Sequence, residues 1–179
     1  MSSRHVLVTG GTRSGKSSFA EKLALESGGP VVYVATAAPL DDEIRQRIAA
    51  HRRRRPPEWQ TVEEPLDLAG VLRRSQAGTT VLIDCLTLFV TNWLLGQDPA
   101  ALKGLEEVFR PILADLSQAI QACPAGVIIV TNEVGSGIVP ENPLARSFRD
   151  LAGVANQMVA AACDQVYWVV GGIPVRIKG

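Results

Sequence analysis

Eight residues near the start of the chain, Gly10-Gly11-Thr12-Arg13-Ser14-Gly15-Lys16-Ser17, match the spacing GxxxxGK[ST] at every fixed position. Each fixed residue type has a physical task. Gly10 and Gly15 let the backbone curl until successive N–H groups point inward, and a helix starting near Ser17 adds its positive end, so the segment forms an anion cradle. Lys16 is spaced to reach the outer phosphates of a nucleotide. Ser17 offers a hydroxyl to Mg²⁺, a hard cation that prefers oxygen ligands and keeps several of its waters. An apolar run before the loop and a helical pattern after it distinguish it from a chance glycine-rich turn. The segment is read as holding a purine nucleoside triphosphate with Mg²⁺.

Such a site needs an acid at the end of a neighbouring strand, and Val81-Leu82-Ile83-Asp84 supplies one. Asp84 is the candidate second Mg²⁺ contact; it would also serve as N-cap for a helix beginning at Leu86. Glu133 follows another apolar run and is a candidate to orient a substrate hydroxyl, with helix capping as the alternative.

Ile44, Ile48 and His51 fall at i, i+4 and i+7, which places His51 on the apolar stripe of a helix. It is either a core histidine satisfied by a hydrogen bond or a nucleophile. Arg52, Arg53, Arg54 and Arg55 follow it. Close to a triphosphate they would bind phosphate and disfavour imidazolium, keeping a lone pair free for attack on phosphorus; otherwise they are a solvated helix end. In many folds of this kind the second strand, which this helix follows, lies beside the phosphate-loop strand, and that neighbourhood is the expectation here.

These residues must be carried by short β-branched runs that alternate with longer helical patterns. Strands are expected at His5–Thr9, Val31–Ala35, Thr80–Asp84, Val127–Thr131, Gln165–Val170 and Pro174–Lys178. The last is joined through Gly171-Gly172, a connection short enough for an antiparallel edge hairpin. Helices are expected at Ser17–Glu26, Asp41–Arg54, Leu66–Ser75, Leu86–Leu95, Ala101–Ala122 and Pro143–Cys163, with Pro111 kinking or dividing the fifth. The fold class is therefore α/β, a three-layer phosphate-loop NTPase with a mostly parallel sheet and helices on both faces.

A chain of 179 residues that is 46% hydrophobic suits one domain, residues 1–179, with a real core. Lys plus Arg and Asp plus Glu are both 18, so net charge points to neither nucleic acid nor an anionic membrane as partner. Cys85, Cys123 and Cys163 are widely spaced and form no CxxC pair, which suits a reducing compartment. No stretch approaches a membrane span and no signal segment is legible, so a cytoplasmic location without membrane insertion is expected.

The chain resembles, from end to end, the bifunctional adenosylcobinamide kinase/adenosylcobinamide-phosphate guanylyltransferase family of cobalamin biosynthesis. The segments that carry the resemblance are LVTGGTRSGKS, YVAT…DDEI…RI…H, RPPEWQTVEEP and VTNEVGSGIVPENPLARSFRDLAG…NQ, followed by a terminal hairpin. The resemblance implies a RecA-like domain that phosphorylates the aminopropanol hydroxyl of adenosylcobinamide and then transfers GMP from GTP to that phosphate. It implies a guanylylated histidine, with His51 at the matching position. It also implies that Gly10–Ser17, Ala35-Thr36-Ala37, Arg52–Arg55, Glu63 and Asp84 contact the guanine nucleotide. ATP or GTP would serve the kinase step. The partners implied are a corrinoid substrate and further copies of the chain, a homo-oligomer with a trimer among the candidates.

Three other readings compete. A regulatory GTPase would carry NKxD where this chain has Thr131-Asn132-Glu133-Val134. A nucleic-acid motor needs a basic track or stacking aromatics, and aromatics here are 5%. A small-molecule kinase without guanylyl transfer shares every phosphate-loop feature.

Overall fold

Alternate residues of the central strands bury on opposite faces, as a parallel sheet covered on both sides requires. The fold was obtained as a computed structural model and is described for residues 4–37, 56–98, 102 and 104–179. Its strands are β1 (His5–Gly10), β2 (Val31–Ala35), β3 (Gln60–Glu63), β4 (Thr80–Asp84), β5 (Gly126–Val130), β6 (Gln165–Val170) and β7 (Ile173–Lys178). They form one seven-stranded sheet in the order β3-β2-β4-β5-β1-β6-β7. All pairings are parallel except that of β6 with β7.

The described helices are α1 (Lys16–Glu26), α2 (Leu68–Arg73), α3 (Leu86–Leu95), α4 (Leu105–Ala122) and α5 (Pro143–Ala162). Val81, Ile83, Val127 and Ile129 face a core built with α2 to α5. Leu82, Ile128 and Val130 face the other layer, with Ala20 and Ala24 of α1 and with Trp59. Phe109 of α4 is fully buried, stacks on Trp93 of α3 at 4.3 Å between centroids, and lies 5.9 Å from Phe89. Burying a side chain of that size stabilises the fold by roughly 1.5–3 kcal/mol. No helix among the described residues is long and apolar enough to cross a membrane.

Helices on both faces and the antiparallel edge hairpin match the sequence expectation. Three differences have physical causes. The strand β3 is not among the expected strands: its Gln60 and Glu63 are exposed and it pairs with β2 alone, so it shows no apolar run. The second strand is not beside the phosphate-loop strand, because β4 and β5 lie between β2 and β1. Those two are buried along most of their length, as strands covered on both faces are. Pro111 does not divide α4, which runs from Leu105 to Ala122. Burial of Phe109 and Leu113 on either side, and the Arg110–Glu106 pair across the preceding turn, hold the helix through the missing N–H. The apolar helix α3, found at its expected bounds, buries Leu86, Phe89, Val90 and Leu94 in the core. The expected helix Asp41–Arg54 lies outside the described residues.

Candidate functional site

The parallel strands all end at one edge of the sheet, and the loops leaving that edge carry the candidate residues. At Gly10 an added Cβ would lie 2.6 Å from both Ser14 Oγ and Val169 O, so only glycine fits the start of the loop. Arg13 (φ 58°) and Gly15 (φ 96°) take left-handed conformations that turn the chain back on itself. Helix α1 then begins with no side-chain cap at Gly15 and no acid in its first turn, so its positive end faces the loop. Ser14 Oγ is buried without a hydrogen-bond partner among the described residues. A cradle that a Cβ would fill, an uncapped helix start and an orphaned hydroxyl together fit a polyphosphate.

Lys16 is 9% exposed, and its Nζ donates to Gly11 O across the loop at 3.1 Å. Burial pushes its pKa below the ordinary lysine value, opposed by the nearby Cys85 and Asp84. Two contacts brace the loop from outside. The Glu133 peptide N–H donates to Gly10 O at 3.0 Å, and the Gly172 N–H in the β6–β7 turn donates to Ser14 O at 2.9 Å.

Asp84 ends β4, half-buried, and its Oδ2 accepts a hydrogen bond from Tyr33 Oη at 2.8 Å. The N-cap of α3 is Cys85, with no side-chain cap bond, so the capping alternative for Asp84 is not realised. Among the described residues no group of three or more His, Cys, Asp or Glu stands ready to hold a metal. Ser17 and Asp84 instead offer the few oxygen donors suited to a hard cation that arrives with phosphate oxygens.

Because β5 lies between β1 and β4, Glu133 leaves the sheet between the phosphate loop and Asp84. Its carboxylate is exposed and accepts from Gly135 N at 3.0 Å. It caps no helix; α5 is capped by Asn142, whose Oδ1 accepts from Ala145 N. Ala35 and Glu63 face each other in the β2–β3 register. They stand three and four strands from β1, roughly 14 and 19 Å at ordinary strand spacing. The candidates therefore fall into two groups along the edge: Gly10–Ser17, Glu133 and Asp84 in one, Ala35-Thr36-Ala37 and Glu63 in the other. The Thr36 hydroxyl is committed inward, donating to Cys85 O at 2.8 Å and accepting from Cys85 N at 2.7 Å. His51 and Arg52–Arg55 lie outside the described residues.

His5 sits at the opposite edge of the sheet, buried in β1, with its N–H on Asp164 Oδ2 at 2.8 Å and its pKa lowered by burial. A hollow of about 580 Å³ opens there, lined by His5, Cys123, Cys163, Asp164 and Lys178, remote from the phosphate loop. The reading of the residues did not find Tyr33, Thr87, Asn92, Asn132, Asn156 or Gly172 as contributors to the strand-end architecture. Most of them act through contacts distant in sequence. Asn156 alone left a local signal, a polar residue on the stripe Ala152, Ala155, Val159 that faces the core.

Comparison with known proteins adds a chemical frame. The family model described as cobinamide kinase / cobinamide phosphate guanyltransferase matches residues 6–177. The bifunctional adenosylcobalamin biosynthesis protein CobP of Pseudomonas aeruginosa is 47% identical over 174 residues, covering 97% of this chain and 96% of that protein. The bifunctional adenosylcobalamin biosynthesis protein CobU of Escherichia coli is 46% identical over 180 residues, covering 97% and 99%. Among solved structures, the RadB recombinase superposes with a TM-score of 0.51 at 19% identity, covering 93% of this chain and 74% of that one. A protein from Pyrococcus horikoshii OT3 gives 0.57 at 9% identity, covering 99% and 87%. These two show a shared RecA-like fold.

Proposed function

From the premise that the chain belongs to the cobinamide kinase / cobinamide phosphate guanyltransferase family, we propose which of its residues carry the two reactions. The protein is a bifunctional transferase of adenosylcobalamin biosynthesis, a kinase and a guanylyltransferase. Nucleotide binding falls to Gly10–Ser17. The observation that carries this assignment is the buried Lys16 ammonium lying across a loop whose start, at Gly10, admits only glycine.

In the kinase step the substrate is the aminopropanol hydroxyl of adenosylcobinamide, and the donor is ATP or GTP. Lys16 and the loop amides offset charge on the transferring phosphoryl group, since such reactions are catalysed largely by positioning and electrostatics. Ser17 and Asp84 would hold Mg²⁺, which supplies further charge neutralisation when bound. Glu133 orients the attacking hydroxyl; its exit between the phosphate loop and Asp84 supports that role.

In the second step a ring nitrogen of His51 attacks the α-phosphorus of GTP. A P–N bond forms as the bond to the bridging oxygen breaks, and pyrophosphate leaves. An oxygen of the substrate phosphate then displaces the histidine, so the P–N bond breaks and GMP ends on the corrinoid. Ala35-Thr36-Ala37, Glu63 and Arg52–Arg55 are assigned to the guanine nucleotide. The homo-oligomer is likewise proposed: Trp168, Val170, Ile173, Val175 and Ile177 leave an exposed apolar face on the β6–β7 hairpin, which supports it.

The test is incubation with α- or γ-labelled GTP followed by peptide mapping. A base-stable, acid-labile adduct from the α label alone, on the peptide containing His51, is the expected result. Label retained by His51→Ala would remove His51 from the role, and absence of any adduct would remove the covalent intermediate from the guanylyl transfer.

A further inference from the structure

An asparagine on the core-facing stripe of an amphipathic helix is a poor choice for packing. Burying an amide costs free energy unless both its ends are hydrogen-bonded, whereas an apolar residue there would stabilise without that condition. Asn156 of α5 sits on such a stripe, between buried Ala152, Ala155 and Val159. Both ends of its amide are used, and both on the same short segment. Oδ1 accepts from the Thr131 hydroxyl at 2.7 Å, and Nδ2 donates to Asn132 O at 3.1 Å.

The segment so gripped is the exit of β5. Thr131 is fully buried, and its peptide N–H also donates to Val8 O of β1 at 2.9 Å. The next residue, Asn132, reaches towards β4: its Nδ2 donates to Thr87 Oγ1 at 2.8 Å, which lies 3.0 Å from Cys85 Sγ, beside Asp84. The residue after that, Glu133, donates its N–H to Gly10 O. One helix side chain thus holds Thr131 and Asn132, and through them the start of a three-residue run, ending at Glu133, that touches the phosphate loop on one side and the Asp84 turn on the other.

We propose that Asn156 is a positioning residue for phosphoryl transfer: it fixes Thr131–Glu133 so that the phosphate loop and Asp84 keep the separation that the transferring group requires. The inference rests on the kinase reading of that site, and it stands whether or not the Glu133 carboxylate orients the hydroxyl. Without the amide, the loop still binds nucleotide through its own N–H groups and Lys16, while the register between loop and acid is lost. The loss is therefore in kcat rather than in nucleotide KM. Misplacement of about 1 Å by a substitution away from the chemistry costs on the order of 10²-fold.

The experiment uses the full-length enzyme with Mg²⁺, ATP or GTP, and adenosylcobinamide. Asn156→Ala is expected to lower kinase kcat by 10- to 100-fold, on the order set by such misplacement, with nucleotide KM changed by less than about threefold. Thr131→Val, close to isosteric, should do the same and keeps the test open if Asn156→Ala does not fold. Thr131→Ser, which restores the hydroxyl, should recover most of the rate. The double variant Asn156→Ala/Thr131→Val should be little worse than the worse single, as expected for residues acting through one contact. Hydrogen exchange should speed at the Glu133 amide and stay slow at Ile128 and Ile129. A kcat that stays within twofold to threefold of wild type in both folded single variants, measured as a ratio of rates, overturns the proposal, as does a loss that appears equally in nucleotide KM. Failure of the kinase reading is distinguishable, because wild type itself would then not phosphorylate the corrinoid.

Discussion

The peptide N–H of Gly172 donates to Ser14 O at 2.9 Å, tying the turn of the C-terminal hairpin to the phosphate loop. The two segments also touch at Gly15, where an added Cβ would meet Gly172 Cα at 3.2 Å. The hairpin is therefore a brace for the phosphate loop as well as an edge of the sheet. Because Gly172 has φ 83°, Gly172→Ala carries a strain of roughly 1 kcal/mol placed directly on the loop. Nucleotide affinity measured by titration calorimetry should fall about fivefold, the equivalent of that energy. Gly15→Ala, strained at its own φ of 96° and crowded by Gly172, should lose more.

Lys16→Ala removes the one ammonium that the loop holds under burial. Kinase kcat/KM should drop by on the order of 10²-fold or more, as for other preorganised charge-stabilising donors. Steady-state rates with Lys16→Arg alongside would show whether charge alone suffices; unchanged turnover in Lys16→Ala would move the kinase site elsewhere.

Asp84 and Tyr33 form a pair in which the phenol orients the carboxylate. Tyr33→Phe should weaken apparent Mg²⁺ affinity by about tenfold, typical of losing a hydrogen bond behind a ligand, and Asp84→Asn should weaken it further. Mg²⁺ titration of the kinase rate reads both effects, and an Asp84→Asn curve that overlays wild type would take Asp84 out of the metal site.

Burial raises all three thiols, Cys85, Cys123 and Cys163, and so lowers the stability of the fold as pH rises through the alkaline range. Burial pushes Cys85 from 9.0 up to about 11, with Asp84 adding to it, and pushes Cys163 up to about 12, partly opposed by Lys178. Above pH 9 the unfolded chain loses these protons while the folded chain keeps them. The unfolded state then binds fewer protons, and stability falls as pH rises. The slope is roughly 1.4 kcal/mol per pH unit for each thiol, developing from 9.0 towards the raised values. Urea unfolding between about pH 8 and pH 10.5 should show it, and Cys163→Ala should make the fall shallower.

The loop was legible because its chemistry is local. Gly10, Gly15, Lys16 and Ser17 act within a single turn of chain, so spacing alone specifies the curl and the charge. All six expected strands agree to within one residue with those found, since short β-branched runs bounded by turn residues suit a buried sheet. The sixth, β7, also appears at the edge of the sheet, because Gly171-Gly172 leaves no length for a crossover. By contrast β3 was invisible: an edge strand with one partner and exposed ends needs no apolar pattern.

What the chain order could not supply was which strands stand side by side. Hydrogen bonding between strands is non-local, and every parallel pairing uses the same backbone groups, so nothing in Val31–Ala35 marks it as separated from β1 by β4 and β5. That order decides the site. It places Glu133 between the phosphate loop and Asp84, puts Ala35–Ala37 and Glu63 at the far end of the edge, and brings Asn156 onto Thr131 and Asn132. By itself the sequence determined the curl and charge of the loop Gly10–Ser17, because its geometry is set within one turn. The tertiary structure decided which acids and amides surround that loop, because their meeting depends on how strands far apart in the chain are stacked.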